Sequence, residues 1–179
     1  VQSGSSRILK AMNRAHTRES YLATLATLRA ARPDIALSGD FIVGFPGETD
    51  AEFEETLKLV DAVGYAQCFS FKYSPRPGTP AATMEGQVAG EVMDERLQRL
   101  QAAITRDSHA FNAASVGRTC DVLVERTGRR EGQWLGKTPW LQSAHFNATE
   151  GAVDCAVGDL VRVELVEAGP HSLSARLLT

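Results

Sequence analysis

Asp40-Phe-Ile-Val-Gly-Phe-Pro-Gly-Glu-Thr49 is the stretch that decides the fold of this chain. It reads as an apolar strand entering Gly44, a Pro46-Gly47 turn and the start of a helix. The run from Ile35 to Phe45 is almost wholly apolar, which predicts a strand buried on both faces. Thr49-Asp50-Ala51-Glu52 is a capping box and predicts a helix from Asp50, with Phe53, Leu57 and Val60 as its buried stripe and Gly64 at its end. Tyr65 to Tyr73 predicts a second strand, with Phe69, Phe71 and Tyr73 on one face. Strand, helix and strand at this spacing form a βαβ unit, so the two strands are parallel and the crossover is right-handed.

In such folds ligands sit outside the carboxyl ends of the strands. Gly44 and Gly47 let a ligand approach the backbone closely. Strand-end N–H and C=O groups can pair with an adenine edge without any special side chain. An isolated Gly-x-x-Gly also reads as an ordinary tight turn, so the surrounding sequence has to decide.

Upstream, Ser5 or Ser6 caps a short helix through Met12, and Thr17 caps a longer one carrying Tyr21, Leu22, Leu25 and Leu28. Downstream, Pro75-Arg-Pro-Gly-Thr-Pro80 is too proline-rich for regular structure. A long helix is predicted from about Glu91 to Asn112, with a stripe of Met93, Leu97, Leu100, Ile104 and Phe111. The chain changes character near Gly117. Five short strands are predicted after it, at 119–127, 132–137, 140–147, 159–167 and 172–178. Val161, Val163 and Leu165 alternate with Arg162 and Glu164, and Leu173, Ala175 and Leu177 alternate with Ser174 and Arg176. Five short antiparallel strands in so few residues predict a small OB-like barrel, whose closure also removes sheet edges. The expected organisation is α/β over 1–90, a connecting helix over 91–116 and an all-β barrel over 117–179.

The 179 residues are 43% hydrophobic and 23% charged, with a net charge of −3, which excludes wholesale disorder and a uniformly basic nucleic-acid coat. No apolar run approaches a bilayer span and no signal peptide is visible. Cys68, Cys120 and Cys155 are widely spaced and form neither a disulfide framework nor a metal knuckle, which fits a reducing, cytoplasmic setting. His16, His109, His145 and His171 lack metal-ligand spacing. The barrel segment holds seven Lys/Arg against eight Asp/Glu, so any RNA contact must come from one face. Arg126, Arg129 and Arg130 lie on the first hairpin, with Lys137 and Trp140 following. Stacking of an exposed Trp on a base is worth ~1–3 kcal/mol; the sequence does not decide whether Trp134 or Trp140 is the exposed one. Asp40 and Glu48 do not read as an acid–base pair; Glu48 is expected to stabilise the N-terminus of the following helix.

Val1-Gln-Ser-Gly-Ser5, Asp40 to Thr49 and Phe71-Lys-Tyr-Ser-Pro-Arg-Pro-Gly-Thr-Pro-Ala81, in that order, resemble the radical S-adenosylmethionine methylthiotransferases. Gly136-Lys-Thr-Pro-Trp-Leu-Gln-Ser-Ala-His-Phe146 resembles the tRNA-modifying, MiaB-type branch, and the terminal barrel resembles a TRAM RNA-binding domain. The resemblance covers essentially the whole chain.

That resemblance implies a partial radical-SAM (β/α) barrel over 1–90 and a TRAM barrel over 117–179. It implies S-adenosylmethionine and two [4Fe-4S] clusters in the full enzyme. The implied reaction is radical hydrogen abstraction at C2 of N6-isopentenyladenosine, tRNA position 37, followed by installation of sulfur and a methyl group. The cluster cysteines are absent from this sequence, so the chain alone is expected to be inactive. The chain is expected to begin inside the barrel, at the end of its fourth strand. Carried over by motif, Ser3 and Gly4 lie beside the cofactor, Ile42, Val43 and Gly44 offer backbone contact to its adenine, and Asp40 opens the motif. Gly39 stands where the family more commonly has Ser. Arg76 follows a strand end and suits a cofactor carboxylate or an RNA phosphate, or serves only to stabilise its loop. The expected partner is a tRNA anticodon stem-loop, contacted by Arg126, Arg129, Arg130, Lys137, Trp140 and His145, with the protein monomeric. A ribosomal-protein methylthiotransferase and a non-catalytic RNA-binding module are the alternatives. The Lys137-to-Ser143 motif speaks against the first, and the presence of Asp40 to Thr49 against the second.

Overall fold

Ser5 accepts the Ile8 N–H and starts α1 (Ser6–Ala11), and Thr17 and Ser20 form a reciprocal cap on α2 (Arg18–Ala31). These elements open a computed structural model that describes residues 1–148 and 155–178. β1 (Ser38–Val43) leads into α3 (Asp50–Val63), β2 (Gln67–Lys72), a 3-10 turn (Pro80–Thr83) and the 25-residue α4 (Gly90–Ala114). The barrel strands follow as β3 (Thr119–Thr127), β4 (Gln133–Lys137), β5 (Ser143–Asn147), β6 (Leu160–Ala168) and β7 (Leu173–Leu177). Two compact units result, Val1–Ser108 and His109–Thr179, and they divide inside α4.

In the first unit β1 and β2 pair in parallel, with Asp40 opposite Phe69 and Ile42 opposite Phe71. Phe41, Val43, Phe53, Leu59, Val60, Val63, Tyr65, Leu100 and Ile104 form the core with Leu25. The expectation of a strand buried on both faces is corrected: Phe41 and Val43 are buried, but Ser38 and Asp40 are exposed. Helices cover one face of this two-stranded sheet, and the other is open, with Phe69 54% and Phe71 53% exposed. On α2, Leu28 lies outside the core at 41% exposure. On α3, Leu57 is partly buried while Thr56 and Leu59 are buried, so the buried stripe is rotated from the expected one. The proline-rich stretch expected to be irregular is so over residues 75–79, and the 3-10 turn follows it.

The second unit is a closed barrel in the order β3-β4-β5-β7-β6. Cys120, Val122, Val124, Ala144, Phe146, Val161, Val163, Leu165, Leu173 and Ala175 fill it. All five expected strands are present. One correction concerns direction: β5 and β7 are parallel, through only Ala144↔Leu173 and His145↔Ser174. An odd number of strands cannot close with every neighbour antiparallel, so one seam must be parallel. β3 and β6 each carry a register shift, at Val124/Arg126 and Leu165/Glu167.

Candidate functional site

The loop after β1 is held from several sides. Glu48 N–H closes on Phe45 O at 2.9 Å. Pro46 and Gly47, the latter at φ 79°, occupy the centre of this turn, as a type II turn requires. The Gly47 carbonyl accepts from Arg7 Nη2 at 2.6 Å, and its N–H donates to Gly86 O at 2.8 Å. Glu48 is buried. Its Oε2 accepts the Gly44 N–H at 2.7 Å and Arg96 Nη1 at 2.8 Å. Arg96 also donates to the Glu48 carbonyl and to Asp50 Oδ1, and its guanidinium lies 5.6 Å from the Phe53 ring centroid. Burial pushes the Glu48 carboxyl up, opposed by the Gly44 N–H and the Arg96 charge.

This corrects the role expected of Glu48. The cap of α3 is made by Thr49 and Glu52, while Glu48 reaches back to Gly44 and across to Arg96. Arg96 is the residue sequence reading missed. It sits on α4 three residues after Met93 and four before Leu100, on the helix's apolar stripe, and that spacing is the signal that could have marked it.

The residues carried over from the family motifs fall into two groups. Ser3 is fully buried; its hydroxyl lies 3.3 Å from Thr56 Oγ1 and accepts the Ser5 N–H. Gly4 N–H donates to Thr56 Oγ1 at 2.9 Å, and a Cβ there would sit 2.3 Å from Glu55 O. These two residues therefore pin the first segment to α3. The Ile42 N–H donates to Gln2 O, the Val43 carbonyl accepts from Tyr73 N–H, and the Gly44 N–H is taken by Glu48. A Cβ on Gly44 would lie 2.2 Å from Met93 Cγ, so the close approach that Gly44 permits is made by Met93. The open side of this region is instead the strand face carrying Asp40 and Ile42, in register with Phe69 and Phe71. Arg76 is exposed, and its backbone carbonyl accepts the Thr79 hydroxyl at 2.8 Å.

On the barrel, Arg126, Arg129 and Arg130 are exposed on the β3–β4 hairpin and make no ion pair among the described residues. Gln133 Oε1 accepts the Arg129 N–H at 3.1 Å and the Arg130 N–H at 3.4 Å, which shapes the turn. Lys137 Nζ donates to Ser143 Oγ at 2.9 Å. His145 Nδ1 lies 3.3 Å from Ser172 Oγ. Trp134 and Trp140 both pack half-buried on the barrel core, and the Arg118 guanidinium lies 5.2 Å from the Trp140 ring centroid. A cleft of about 470 Å³ brings Arg130 and His145 together with Gln133, Asn147, Val166, Ser174 and Arg176. The last five were not singled out from sequence. Alternation marked Ser174 and Arg176 as outward-facing, but their meeting with His145 depends on the parallel seam. Arg126, Arg129, Lys137 and Trp140 do not line this cleft.

Among the described residues no group of three His, Cys, Asp or Glu side chains is placed to hold a metal ion. Cys68 packs against the first core, and burial pushes its thiol up to about 12. Cys120 lies inside the barrel. Among the described residues no helix is long and apolar enough to cross a membrane.

The Radical SAM superfamily profile matches residues 1–60 and the TRAM domain profile matches residues 113–178. A protein of Erythrobacter litoralis is 74% identical over 99% of this chain. Proteins of Novosphingobium aromaticivorans and Sphingopyxis alaskensis are 71% and 58% identical over the same share. All three carry the name tRNA-2-methylthio-N(6)-dimethylallyladenosine synthase. The chain spans 39% of the length of each of them. Among solved structures, a Streptococcus pneumoniae multidomain protein with nucleic acid binding domains aligns with 36% of this chain and 23% of its own, at 10% identity and a TM-score of 0.32. The chain thus carries a partial radical SAM region followed by a TRAM barrel.

Proposed function

We infer that this chain is the part of a radical-SAM tRNA methylthiotransferase that supplies one wall of the cofactor barrel and the RNA-binding barrel. The substrate is N6-isopentenyladenosine at position 37 of the tRNA anticodon stem-loop, which acquires sulfur and a methyl group at C2. Identity of 58–74% across the chain to relatives bearing that name supports the reaction class. The observation that carries the RNA role is the β3–β4 hairpin. It presents three exposed arginines that make no ion pair among the described residues. OB-type barrels take oligonucleotides on the face of their second and third strands and on the loop joining the first two, which here are β4, β5 and this hairpin. Lys137 and His145 lie on that face. Trp140, with Arg118 over its ring, adds a partly exposed edge.

S-adenosylmethionine, when bound, supplies the methyl group and, with an iron–sulfur cluster, the radical that abstracts hydrogen. The residues present fit the cofactor at the open strand face. Asp40 offers a solvent-facing carboxylate for hydroxyl groups, and Ile42 an apolar surface for a purine. Ser3, Gly4, Val43 and Gly44 serve as the framework of that face, each with a polar group bound within the fold. Arg76 adds a guanidinium for a carboxylate or phosphate. Cys68, behind the sheet, and Cys120, inside the barrel, do not fit an iron–sulfur site. In our reading the clusters are held by other parts of the enzyme, and this chain by itself does not turn over.

The test is binding of an anticodon stem-loop RNA by fluorescence anisotropy across a salt series. Each phosphate contact contributes roughly 0.7–0.9 to the slope of log K against log salt. Arg129→Ala combined with Arg130→Ala is expected to weaken binding and flatten that slope by about 1.4–1.8. An unchanged slope overturns the basic-hairpin reading. Transfer of sulfur to a ribosomal protein by a longer chain carrying these residues would select the other branch.

A further inference from the structure

The parallel seam of the barrel is short. β5 and β7 share two residue pairs, Ala144↔Leu173 and His145↔Ser174, and the cleft of about 470 Å³ lies against the residues just beyond. Asn147 continues β5 on one side, and Ala175 and Arg176 continue β7 on the other. We propose that this cleft receives a single unstacked nucleotide of the bound RNA. This deepens the RNA-binding reading above and rests on it.

Five observations converge. A cleft of ~300–1,000 Å³ takes a small ligand, so the space suits one nucleotide and not a duplex. Arg130 and Arg176 line it, the first without an ion pair among the described residues and the second held by Glu164. Guanidiniums bind phosphate through paired N–H donors. Gln133 has its oxygen committed to the Arg129 and Arg130 amides, which leaves its NH2 as a donor to a base edge. His145 has Nδ1 beside Ser172, which leaves Nε2 as its other polar atom.

The fifth observation is Val166. The β6 register shift falls between Leu165 and Glu167, and the extra residue is Val166, which is 42% exposed and lines the cleft. Bulges re-aim side chains and recur next to functional sites. Here the bulge gives a polar cleft its apolar surface, against which a base plane can lie. Sequence-specific RNA recognition takes such splayed bases from single-stranded loops, not from helices.

The experiment compares two RNAs with the intact chain: the anticodon stem-loop and a fully paired duplex of equal length. Ser174→Phe fills the cleft, and Val166→Asn removes its apolar wall; neither changes charge. Each is expected to lower the ratio of stem-loop to duplex affinity about tenfold. Circular dichroism establishes that each variant is folded; should Ser174→Phe not fold, the exposed Val166→Asn carries the comparison. Adenosine 5′-monophosphate should also shift the NMR signals of His145 and Val166 in the parent. If the ratio is unchanged and no shift is seen, while the Arg129/Arg130 double variant still weakens both RNAs, the cleft assignment is wrong and the RNA-binding reading survives. If the double variant is also without effect, both fail.

Discussion

Arg96 of α4 and Glu48 of the β1–α3 loop form a buried ion pair 2.8 Å apart, with side chains 4% and 1% exposed. The same carboxylate oxygen holds the Gly44 N–H, so a residue on α4 determines how the end of β1 is bent. Removing one member of a buried pair costs about 3–5 kcal/mol, because the other charge is left without a partner. Arg96→Met is therefore expected to destabilise the chain strongly in urea denaturation. Parent-like stability for this variant would mean the pair does not hold the loop.

Glu48→Gln should cost less than Arg96→Met, since the amide oxygen still accepts the Gly44 N–H and the Arg96 guanidinium keeps Asp50 as an ionic partner. The pH dependence separates the two. Burial raises the folded Glu48 pKa above its unfolded value, and loss of Arg96 raises it further. Protonation thus favours the folded state. Arg96→Met should be least impaired below about pH 4 and should lose stability as pH rises through the folded pKa. A parallel pH profile for both variants would argue against a charged Glu48.

Glu52 behaves in the opposite sense. Hydrogen bonding from Arg7, then from Thr49, holds its carboxyl down at about 2 against an ordinary 4.5. Its contribution is complete above about pH 4.5 and is lost as pH falls toward about 2. Glu52→Gln should flatten the acid limb of the stability curve between these values, as followed by circular dichroism. An unaltered acid limb would assign that loss to other carboxylates.

Two glycines with different surroundings give a steric test. A Cβ at Gly4 meets Glu55 O at 2.3 Å, whereas a Cβ at Gly64 meets nothing within 4 Å. Gly64 instead ends α3 at φ 60°. Gly64→Ala should cost about 1 kcal/mol, the penalty of left-handed backbone. Gly4→Ala should cost more, about 2–3 kcal/mol, because backbone atoms of α3 must move. Equal effects on Tm would refute the close approach at Gly4.

Hydrogen exchange should be uneven along the chain. β1 and β2 have helices on one face only, while the five barrel strands enclose a core. Amides of β1 and β2 are expected to exchange faster than those of β3, β6 and β7. Uniform protection would contradict this.

Local chemistry explains what was legible beforehand. Thr49 and Glu52 announce a helix start because cap partners lie three residues apart, and the alternation at Val161, Val163 and Leu165 announces a strand because its period is two. Relationships across long separations were not legible. Arg96 meets Glu48 across 48 residues, and β5 meets β7 through a parallel seam that no local pattern encodes. Glu48 was misread for the same reason: an acidic residue just before a helix ordinarily interacts with that helix, and only the packed structure shows a buried arginine drawing it away. At the loop after β1, the glycine motif marked a close approach to the backbone, and the side chain that makes it within this chain is Met93, far off in sequence.

Phe69 and Phe71 stand bare on the open side of β2. During purification this polypeptide should cling to hydrophobic-interaction resin, light up the dye ANS, and precipitate as ammonium sulfate is added, earlier than a variant with both rings replaced by threonine.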